Sequence, residues 1–541
     1  MRKKLLTMSA VAAMCIMTAC SGLSANSIDS ILSGSSSSVN VSVETETEDD
    51  TDIDLSDCTS ITINGDSATV SGDGASYEDG IISITSAGEY LIEGEGSVSV
   101  CVAAGEEDNV TLILNGVSIS SDDKAPLYVE EAKNVYLVLK GDSTITDTRD
   151  EAADDEETDI DNAGGAIYSA CDLFFEGNGS LTVISDNNDG IKCKDDVKIK
   201  SGNVSVQAAD EGIDGNDSFT MEEGTLTIKA GDKGIKINDT ITIDGGTINI
   251  TADDEGMQAL DVVINDGDIN IDAKDDGINI SDGSGSSGDE MMQGGPMGQK
   301  MQNQEQVQSG QAISEQGETL EETGQQSTAV TRAPGQGGPA GGQFQGAPMG
   351  ENGERPQKPE NMDGQMQGGK MENGQMQGGM MPGEMQEGMQ GGMGMETAID
   401  GALTINGGNI YINAYGDGID SNGSIYITGG YIEISGPENS GNGSLDYNGE
   451  CEISGGTLIM TGSSGMIQSV GQNSEVLTAS TTINGSYDSS DTIEIYIDGN
   501  KAYTIDNIKK GNYISVSDPA INSSSTVKAV IGTESYSLNV K

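Results

Sequence analysis

The sequence contains no histidine and no tryptophan, and aromatic residues make up only 4% of its 541 positions. Without histidine, the chain lacks the commonest general base and the commonest ligand of transition metals. Any catalysis must therefore use Asp, Glu, Lys, Arg or Tyr. Only 34% of the residues are hydrophobic, which argues against a conventional globule with a large aromatic core.

Positive charge is also scarce. Against 89 Asp and Glu residues there are 25 Lys and Arg, and the net charge is -64. Such a chain repels nucleic acid and anionic membrane surfaces. We therefore expect no nucleic-acid partner, and hard cations are its natural ligands.

What the sequence has in abundance is glycine, with 77 residues, beside the Asp, Asn, Ser, Thr and Ile that form short strands and tight turns. Six segments share an acidic residue or lysine followed by Gly and an apolar residue. They are Asp189-Gly190-Ile191, Glu211-Gly212-Ile213, Lys233-Gly234-Ile235, Glu255-Gly256-Met257, Asp276-Gly277-Ile278 and Asp417-Gly418-Ile419. The first five recur every 21 to 22 residues, and apolar and polar residues alternate between them. This period predicts an all-β chain, a right-handed parallel β-helix with about 22 residues per coil.

The order of segments along the chain indicates an exported protein. Residues 1–20 have the charged start and short apolar stretch of a signal peptide, and the small residue before Cys20 resembles a bacterial lipobox. We expect lipidation of Cys20, so that the membrane is contacted only through this lipid anchor on the extracellular face; the protein is secreted if cleavage occurs elsewhere. Residues 21–54 read as an acidic, Ser-rich tether.

The β-helix is predicted over residues 55–282 and again over 397–541, which includes a C-terminal cap. Between them, residues 283–396 form a Met-, Gln- and Gly-rich insertion that we expect to be a disordered loop between coils. The odd number of cysteines outside the signal peptide cannot pair completely, and Cys171 with Cys193 is one possible pair.

The acidic turns before each glycine predict a Ca²⁺ site. In a parallel β-helix, equivalent residues stack about 4.8 Å apart, and carboxylates at that spacing repel unless a cation lies among them. The turns also need residues that adopt left-handed conformations, which accounts for many single Asp residues, but less well for Asp254-Glu255 stacked on Asp275-Asp276. The candidate ligands are Asp189, Asp210, Glu211, Asp214, Asp232, Asp253, Asp254, Glu255, Asp275 and Asp276.

The Ala-x-Asp-[Asp/Glu/Lys]-Gly-Ile frame, the Gly-Ser-Ser-Gly-Met-Ile-Gln stretch at 462–468 and the Met- and Gly-rich insertion resemble the carbohydrate-binding domain family of clostridial surface proteins. Its β-helix is similar to that of polysaccharide lyase family nine. The resemblance extends from Leu55 to the C-terminus. It implies a Ca²⁺-containing β-helix that binds plant polysaccharides such as cellulose or acidic pectic chains.

We therefore expect a monomeric, non-catalytic, calcium-dependent polysaccharide binder, with Tyr411, Tyr415, Tyr426 and Tyr431 as candidates for stacking on sugar rings. Two alternatives stay open. One is a calcium-dependent polysaccharide lyase acting on uronate polymers, in which Lys192 or Lys236 removes a proton. The other is a structural or adhesion protein in which the solenoid serves as a spacer.

Overall fold

The computed structural model describes residues 55–150, 159–283 and 398–541. The predicted signal peptide with Cys20, the tether and residues 284–396 of the predicted insertion lie outside the described residues. Within the three described ranges, no helix has the length and hydropathy of a membrane span. All the regular structure described is β-strand.

Three strands precede the solenoid: β1 (Thr59–Asn64), β2 (Ala68–Ser71) and β3 (Ala75–Glu78). The first coil contains β4 (Ile81–Ile84) and β5 (Gly88–Ser97), the second β6 (Ser99–Ala103), β7 (Asn109–Asn115) and β8 (Ser118–Ser121). The third contains β9 (Leu127–Glu131), β10 (Asn134–Lys140) and β11 (Asp142–Asp147), the fourth β12 (Gly165–Ser169), β13 (Asp172–Gly177) and β14 (Ser180–Ser185). The fifth contains β15 (Asp189–Cys193), β16 (Val197–Ile199) and β17 (Asn203–Ala208), the sixth β18 (Ile213–Gly215), β19 (Ser218–Met221) and β20 (Thr225–Ala230).

The seventh coil contains β21 (Ile235–Ile237), β22 (Thr240–Ile243) and β23 (Thr247–Ala252), the eighth β24 (Met257–Ala259), β25 (Asp261–Ile264) and β26 (Asp268–Ala273). The ninth contains β27 (Ile278–Ile280), β28 (Ala402–Ile405) and β29 (Asn409–Ala414), the tenth β30 (Ile419–Ser421), β31 (Ser424–Ile427) and β32 (Tyr431–Ser435). The eleventh contains β33 (Leu445–Tyr447), β34 (Cys451–Ile453) and β35 (Thr457–Gly462). The remaining strands are β36 (Thr478–Tyr487), β37 (Ile493–Ile497), β38 (Asn500–Ile505), β39 (Gly511–Ser517), β40 (Val527–Ile531) and β41 (Glu534–Val540).

The first, second and third strands of the coils pair in parallel with the equivalent strands of the next coil, and so form three faces that we call faces A, B and C. Alternation along each strand explains why the coils stack. In β22, Ile241 and Ile243 are fully buried while Thr240 and Thr242 are partly exposed. Ile241 pairs with Phe219 of the coil before it, so the buried side chains form one continuous core. The prediction of a parallel β-helix is confirmed, with about 11 turns.

The predicted insertion lies within a coil, whereas the sequence placed it between coils. Face A of the ninth coil is β27, and the chain resumes at β28 on face B of the same coil. Val262 of β25 pairs with Leu403 of β28, so the ladder continues without a shift. The insertion therefore leaves the solenoid at the corner between faces A and B, where an extra segment disturbs no ladder.

Both ends of the solenoid carry added strands. At the N-terminal end, β3 pairs antiparallel with β4. At the C-terminal end, β36 to β41 form an antiparallel unit with a core of its own that includes Ile495 and Val527. Its strand β39 pairs antiparallel with β35 of the last coil. We call residues 478–541 the cap. Cys101, Cys171, Cys193 and Cys451 are free thiols, so the possible pair of Cys171 with Cys193 is not formed.

The glycine of each coil allows the backbone ladder to run through the turn into face A. The Gly234 amide donates to the Glu255 carbonyl at 3.0 Å, and the Ile235 amide donates to the Gly256 carbonyl at 3.1 Å. A Cβ atom at Gly234 would lie 2.5 Å from the Gly256 carbonyl oxygen and would also clash with Ile250. A side chain here is excluded by the neighbouring coil.

Replacing Gly234 with alanine should lower the free energy of unfolding by about 1–3 kcal/mol, because coils seven and eight must separate to admit the methyl group. Gly105→Ala is the matched control, since its Cβ would approach nothing closer than Asp108 Oδ2 at 3.3 Å. Thermal and urea denaturation of both variants check this. Equal stability of Gly234→Ala and the parent protein would contradict the proposed packing.

Candidate functional site

The turns that lead from face C into face A form a continuous acidic line, which we call the acid ridge. It consists of the residue pairs that precede the coil glycines: Asn188-Asp189, Asp210-Glu211, Asp232-Lys233, Asp254-Glu255, Asp275-Asp276 and Gly416-Asp417. Beside it on face A runs a ladder with register Lys192, Asp214, Lys236, Gln258, Asn279, Asp420. The stacking expected from the 22-residue period is thus present.

In coils five and six, ammonium groups already lie among the carboxylates. Lys192 Nζ is 3.1 Å from Asp189 Oδ2 and 3.0 Å from Asp214 Oδ2. Lys236 Nζ is 2.8 Å from Glu211 Oε1 and 3.8 Å from Asp214 Oδ1. Burial by itself raises the pKa of Glu211, but the hydrogen bond and charge of Lys236 outweigh it and lower that pKa to about 2. Lysine offsets part of the negative charge here, although burial raises the pKa of Asp189 well above its ordinary range against the opposing charge of Lys192.

The same holds for the middle of the ridge. Lys233 Nζ forms ion pairs with Asp254, with Glu255 Oε2 at 2.9 Å and with Asp232 Oδ1 at 3.7 Å. Burial lowers the pKa of Lys233, yet Glu255 and Asp254 raise it above the ordinary value. The exposed pair Lys274 and Asp253 lies 2.5 Å apart at the edge.

Asp276, Asp417 and Asp420 converge in the C-terminal part of the ridge. One carboxylate oxygen of each lies within 4.8 Å of the other two. Asp189, Asp210 and Glu211 converge in the same way in coils five and six, but there lysines pair with Asp189 and Glu211. Among the described residues, neither Asp276 nor Asp417 is ion-paired with lysine or arginine. Burial, with the charges of Asp275, Asp420 and Asp417, raises the pKa of Asp276 well above its ordinary range. Burial also raises the pKa of Asp417 to about 6. These carboxylates crowd together at an electrostatic cost.

A buried carbonyl oxygen without a partner lies next to this cluster. Asn279 pairs in register with Asp420 and is 8% exposed. Its Nδ2 donates to Glu255 Oε1 at 2.7 Å, which fixes the orientation of the amide. Its Oδ1 receives no hydrogen bond in the described part of the chain. Such an oxygen is costly to bury unless a cation or donor meets it.

Two further features suit a cation at this position. Oxygens bound to one Ca²⁺ at about 2.3–2.6 Å can lie at most about 5 Å apart, and the three carboxylates meet that limit. The missing side chain of Gly416 also leaves room for Asp275 and Asp276, since a Cβ there would clash with Oδ1 of both. Asp276, Asp417, Asp420 and Asn279 therefore fit a hard divalent cation, with coordination positions left for water or ligand.

Of the ten ligands expected from the sequence, only Asp276 belongs to this cluster. Asp275 adjoins it and contributes to its charge. Six of the others are ion-paired with lysine, namely Asp189, Glu211, Asp214, Asp232, Asp254 and Glu255. Asp253 pairs at the exposed edge with Lys274. Asp210 converges with Asp189 and Glu211, with one carboxylate oxygen of each within 4.8 Å of the other two, so three of the expected ligands form a second group of carboxylates. Asp417 and Asp420 were not among the expected ligands, although the repeat alignment across the insertion places both.

The four tyrosines expected to contact sugar lie on two faces. Tyr411 and Tyr431 are on face C with ring centroids 5.7 Å apart. Tyr415 follows β29 on the same side and precedes Asp417 by two residues. Tyr426 belongs to β31 on face B, so it does not join them. Tyr411 is 43% exposed and Tyr415 49% exposed. We call Tyr411 and Tyr415 the tyrosine platform; it leads directly to the carboxylate cluster.

The fold and this surface define an acidic parallel β-solenoid. The family model for carbohydrate-binding domain-containing proteins matches residues 78–332. A carbohydrate-binding domain-containing protein of Acetivibrio thermocellus is 34% identical over 139 residues, which are 25% of this chain and 48% of that protein. The chain thus spans about half the length of this curated relative.

Among solved structures, a polysaccharide lyase-like protein from C. thermocellum, in a gadolinium derivative, is 32% identical. The match covers 40% of this chain and 91% of that protein, with a TM-score of 0.38. Over residues 78–332, a little under half of its length, the chain is therefore similar to carbohydrate-binding domain-containing proteins. The family resemblance predicted from the sequence is confirmed.

Replacing Lys236 with methionine should destabilise the protein by about 1–2 kcal/mol, because Glu211 and Asp214 then lose a cation; a third of the Lys236 side chain is exposed, which limits the loss. The pKa of Glu211 is depressed in the folded state, so its contribution is full above its unfolded value near 4.3 and is lost as the pH falls towards 2. The stability difference between the two proteins should shrink over the same range.

Thermal denaturation of the two proteins between pH 2 and 7 measures this difference. Lys274→Met is the control, because its exposed pair with Asp253 should contribute less than about 0.5 kcal/mol. A Lys236→Met effect that stayed constant down to pH 2 would show that packing, and not the ion pair, accounts for it.

Proposed function

We propose that the protein is a non-catalytic polysaccharide-binding protein that uses a Ca²⁺ ion held by Asp276, Asp417, Asp420 and Asn279. The observation that carries this proposal is the convergence of three carboxylates beside a buried amide oxygen that has no partner among the described residues, where no described lysine pairs with Asp276 or Asp417. Ca²⁺ is the hard cation that an extracellular medium supplies and that prefers such oxygen ligands. The match of residues 78–332 to the carbohydrate-binding domain family supports a sugar as the ligand.

The tyrosine platform gives the polysaccharide a surface to lie on. A pyranose ring has an apolar face that packs on an exposed aromatic ring, while its hydroxyls stay in water. Tyr411 and Tyr415 are four residues apart along one side of a strand, which corresponds to about 13 Å. A chain resting on both rings reaches Asp417, where a bound cation could accept a hydroxyl or carboxylate oxygen.

The geometry favours binding over the lyase alternative. A lyase base must be neutral when it accepts a proton. Lys236 is ion-paired with Glu211, and although burial lowers its pKa, Asp214 and Glu211 raise that pKa above the ordinary value. Lys192 is held between Asp189 and Asp214. Both remain ammonium groups that compensate the ridge.

The location of the protein rests on the N-terminal segment alone. Export, lipidation of Cys20 and attachment to the extracellular face of the membrane stay predictions from the sequence. A polysaccharide partner outside the cell agrees with them.

The Asp276→Asn and Asp417→Asn variants should each bind Ca²⁺ about tenfold or more weakly in calorimetric titration, because each loses a carboxylate ligand. Without metal, Asp276→Asn should unfold at a higher temperature than the parent protein, since a buried like-charge repulsion is removed. The matched control is Asp189→Asn, whose partner is the Lys192 ammonium; its Ca²⁺ affinity should be unchanged. The opposite ranking of Asp189 and Asp276 would place the cation elsewhere.

Binding of the full chain to cellulose and to polygalacturonate should fall about three- to tenfold in Tyr411→Ala and in Tyr415→Ala, because each removes a stacking surface. Tyr426→Ala on face B is the control and should bind like the parent protein. Pull-down with excess Ca²⁺ or with EGTA tests the cation dependence in the same assay. Binding to neither polysaccharide, or release of unsaturated product from polygalacturonate, would refute this proposal.

A further inference from the structure

Lys509 of the cap crosses onto face C of the solenoid. It lies in the turn between β38 and β39, and its backbone amide donates to Ser435 Oγ of β32 at 2.8 Å. Its side chain passes over Gly436, where an added Cβ would lie 3.4 Å from Lys509 Cδ. The cap therefore delivers one lysine to the end of the tyrosine platform.

The ammonium group of Lys509 ends on an aromatic ring. Its Nζ lies 3.2 Å from the centroid of Tyr415. Lys509 is 6% exposed, and among the described residues its Nζ has neither a hydrogen-bond partner nor an ion pair. The charged groups that act on it are Asp272 of β26 and Glu438 beyond β32. Burial lowers the pKa of Lys509 to about 8 against the opposing effect of these two carboxylates.

The buried ammonium of Lys509, which has no polar partner among the described residues, contributes unfavourably to the free energy of attaching the cap to the solenoid. Burying a charge without an ion pair or hydrogen bond disfavours folding, and an apolar side chain of the same length would pack there without that cost. Besides the charges of Asp272 and Glu438, which form no ion pair with it, the ring of Tyr415 compensates the ammonium through a cation–π interaction that is strongest when water is excluded. We therefore infer that the contact orients the Tyr415 ring and does not mainly attach the cap.

Tyr415 needs such a contact to act as a stacking surface. It lies just beyond the end of β29; its backbone amide still donates to the Ala273 carbonyl at 3.2 Å, but the residue is 49% exposed, and Lys509 Nζ lies over its ring. Tyr411 is held differently, because its ring packs against the ring of Tyr431. The Tyr431 ring packs in turn against Tyr503 of the cap, with ring centroids 5.9 Å apart. The cap thus supports both rings of the platform, and an aromatic surface ordered before binding costs less entropy when a sugar settles on it.

We propose that Lys509 is a positioning residue for carbohydrate binding: its ammonium holds the inner face of the Tyr415 ring, so that the outer face is presented to a sugar. This inference rests on the proposed function, since it assigns the support of one of its two stacking rings. It makes the cap part of the binding surface. The solenoid alone then carries only an unsupported Tyr415.

The experiment compares Lys509→Met, Lys509→Arg and Lys510→Met in the full chain, using the polysaccharide that the parent protein binds. Lys509→Met should lose about fivefold in affinity, while its unfolding temperature is unchanged or higher, because an unpaired buried charge is removed. Lys509→Arg keeps the cation and should bind normally. Lys510→Met, at the neighbouring position of the same turn, is the control.

The effect must act through Tyr415. Lys509→Met should change nothing in a Tyr415→Ala background, and the affinity of the parent protein should fall as the pH rises through about 8, whereas that of Lys509→Arg should not. Unaltered binding by Lys509→Met, or an equal loss in the Tyr415→Ala background, would overturn the inference and leave the proposed function intact.

A measurement without sugar separates the two proposals. In ¹³C-tyrosine NMR spectra, the Tyr415 ring signals should shift with a midpoint near pH 8 in the parent protein and not in Lys509→Arg, because the cation over the ring is lost. If the parent protein binds neither polysaccharide but this shift is present, the contact is real and the assigned role is wrong. If the shift is absent, the positioning contact itself fails.

Discussion

The main-chain hydrogen bonds between successive coils determine everything else in this protein. Because each coil repeats the backbone path of the previous one, a residue is brought beside its equivalent about 22 positions away, whatever its charge. For isoleucines this arrangement favours folding, because their stacked side chains form the core. For carboxylates it opposes folding, because they lie at a separation where like charges repel. The acid ridge is the result of a backbone that cannot move its acidic turns apart.

Lysines offset this repulsion in one part of the ridge, and the cation that we propose would offset it in another. In coils five to eight, the acids form ion pairs with Lys192, Lys233 and Lys236. At coils nine and ten, aspartates converge beside the buried Asn279 oxygen, and no lysine in the described part of the chain pairs with Asp276 or Asp417. A permanent ammonium and an exchangeable metal ion are alternative solutions to the same problem. Only the second leaves coordination positions for an outside ligand, which gives the two halves of the ridge different capacities.

The sequence predicts the fold and the register well, and the site less well, for physical reasons. The ladder from Lys192 to Asn279 follows from the period, and aligning the repeat across the insertion adds Asp420, because parallel pairing places equivalent residues side by side. Which acids meet an ammonium does not follow, because a lysine stem spans more than one coil: Lys233 reaches forward to Glu255, and Lys236 reaches back to Glu211. The position of Lys509 over Tyr415 lies beyond any period, since the cap is not a repeat.

The insertion in the ninth coil has a consequence for how the chain assembles. Asp276 precedes the insertion and Asp417 follows it, and their backbones are joined by the Gly277 amide donating to the Asp417 carbonyl at 3.0 Å. The entropy of closing so long a loop grows only slowly with its length, but it must be met before coil nine gains its stacking energy. During synthesis, eight coils can form while the ligand set is still half made. A cation bound across that junction would act as a clasp between the early and late parts of the polypeptide.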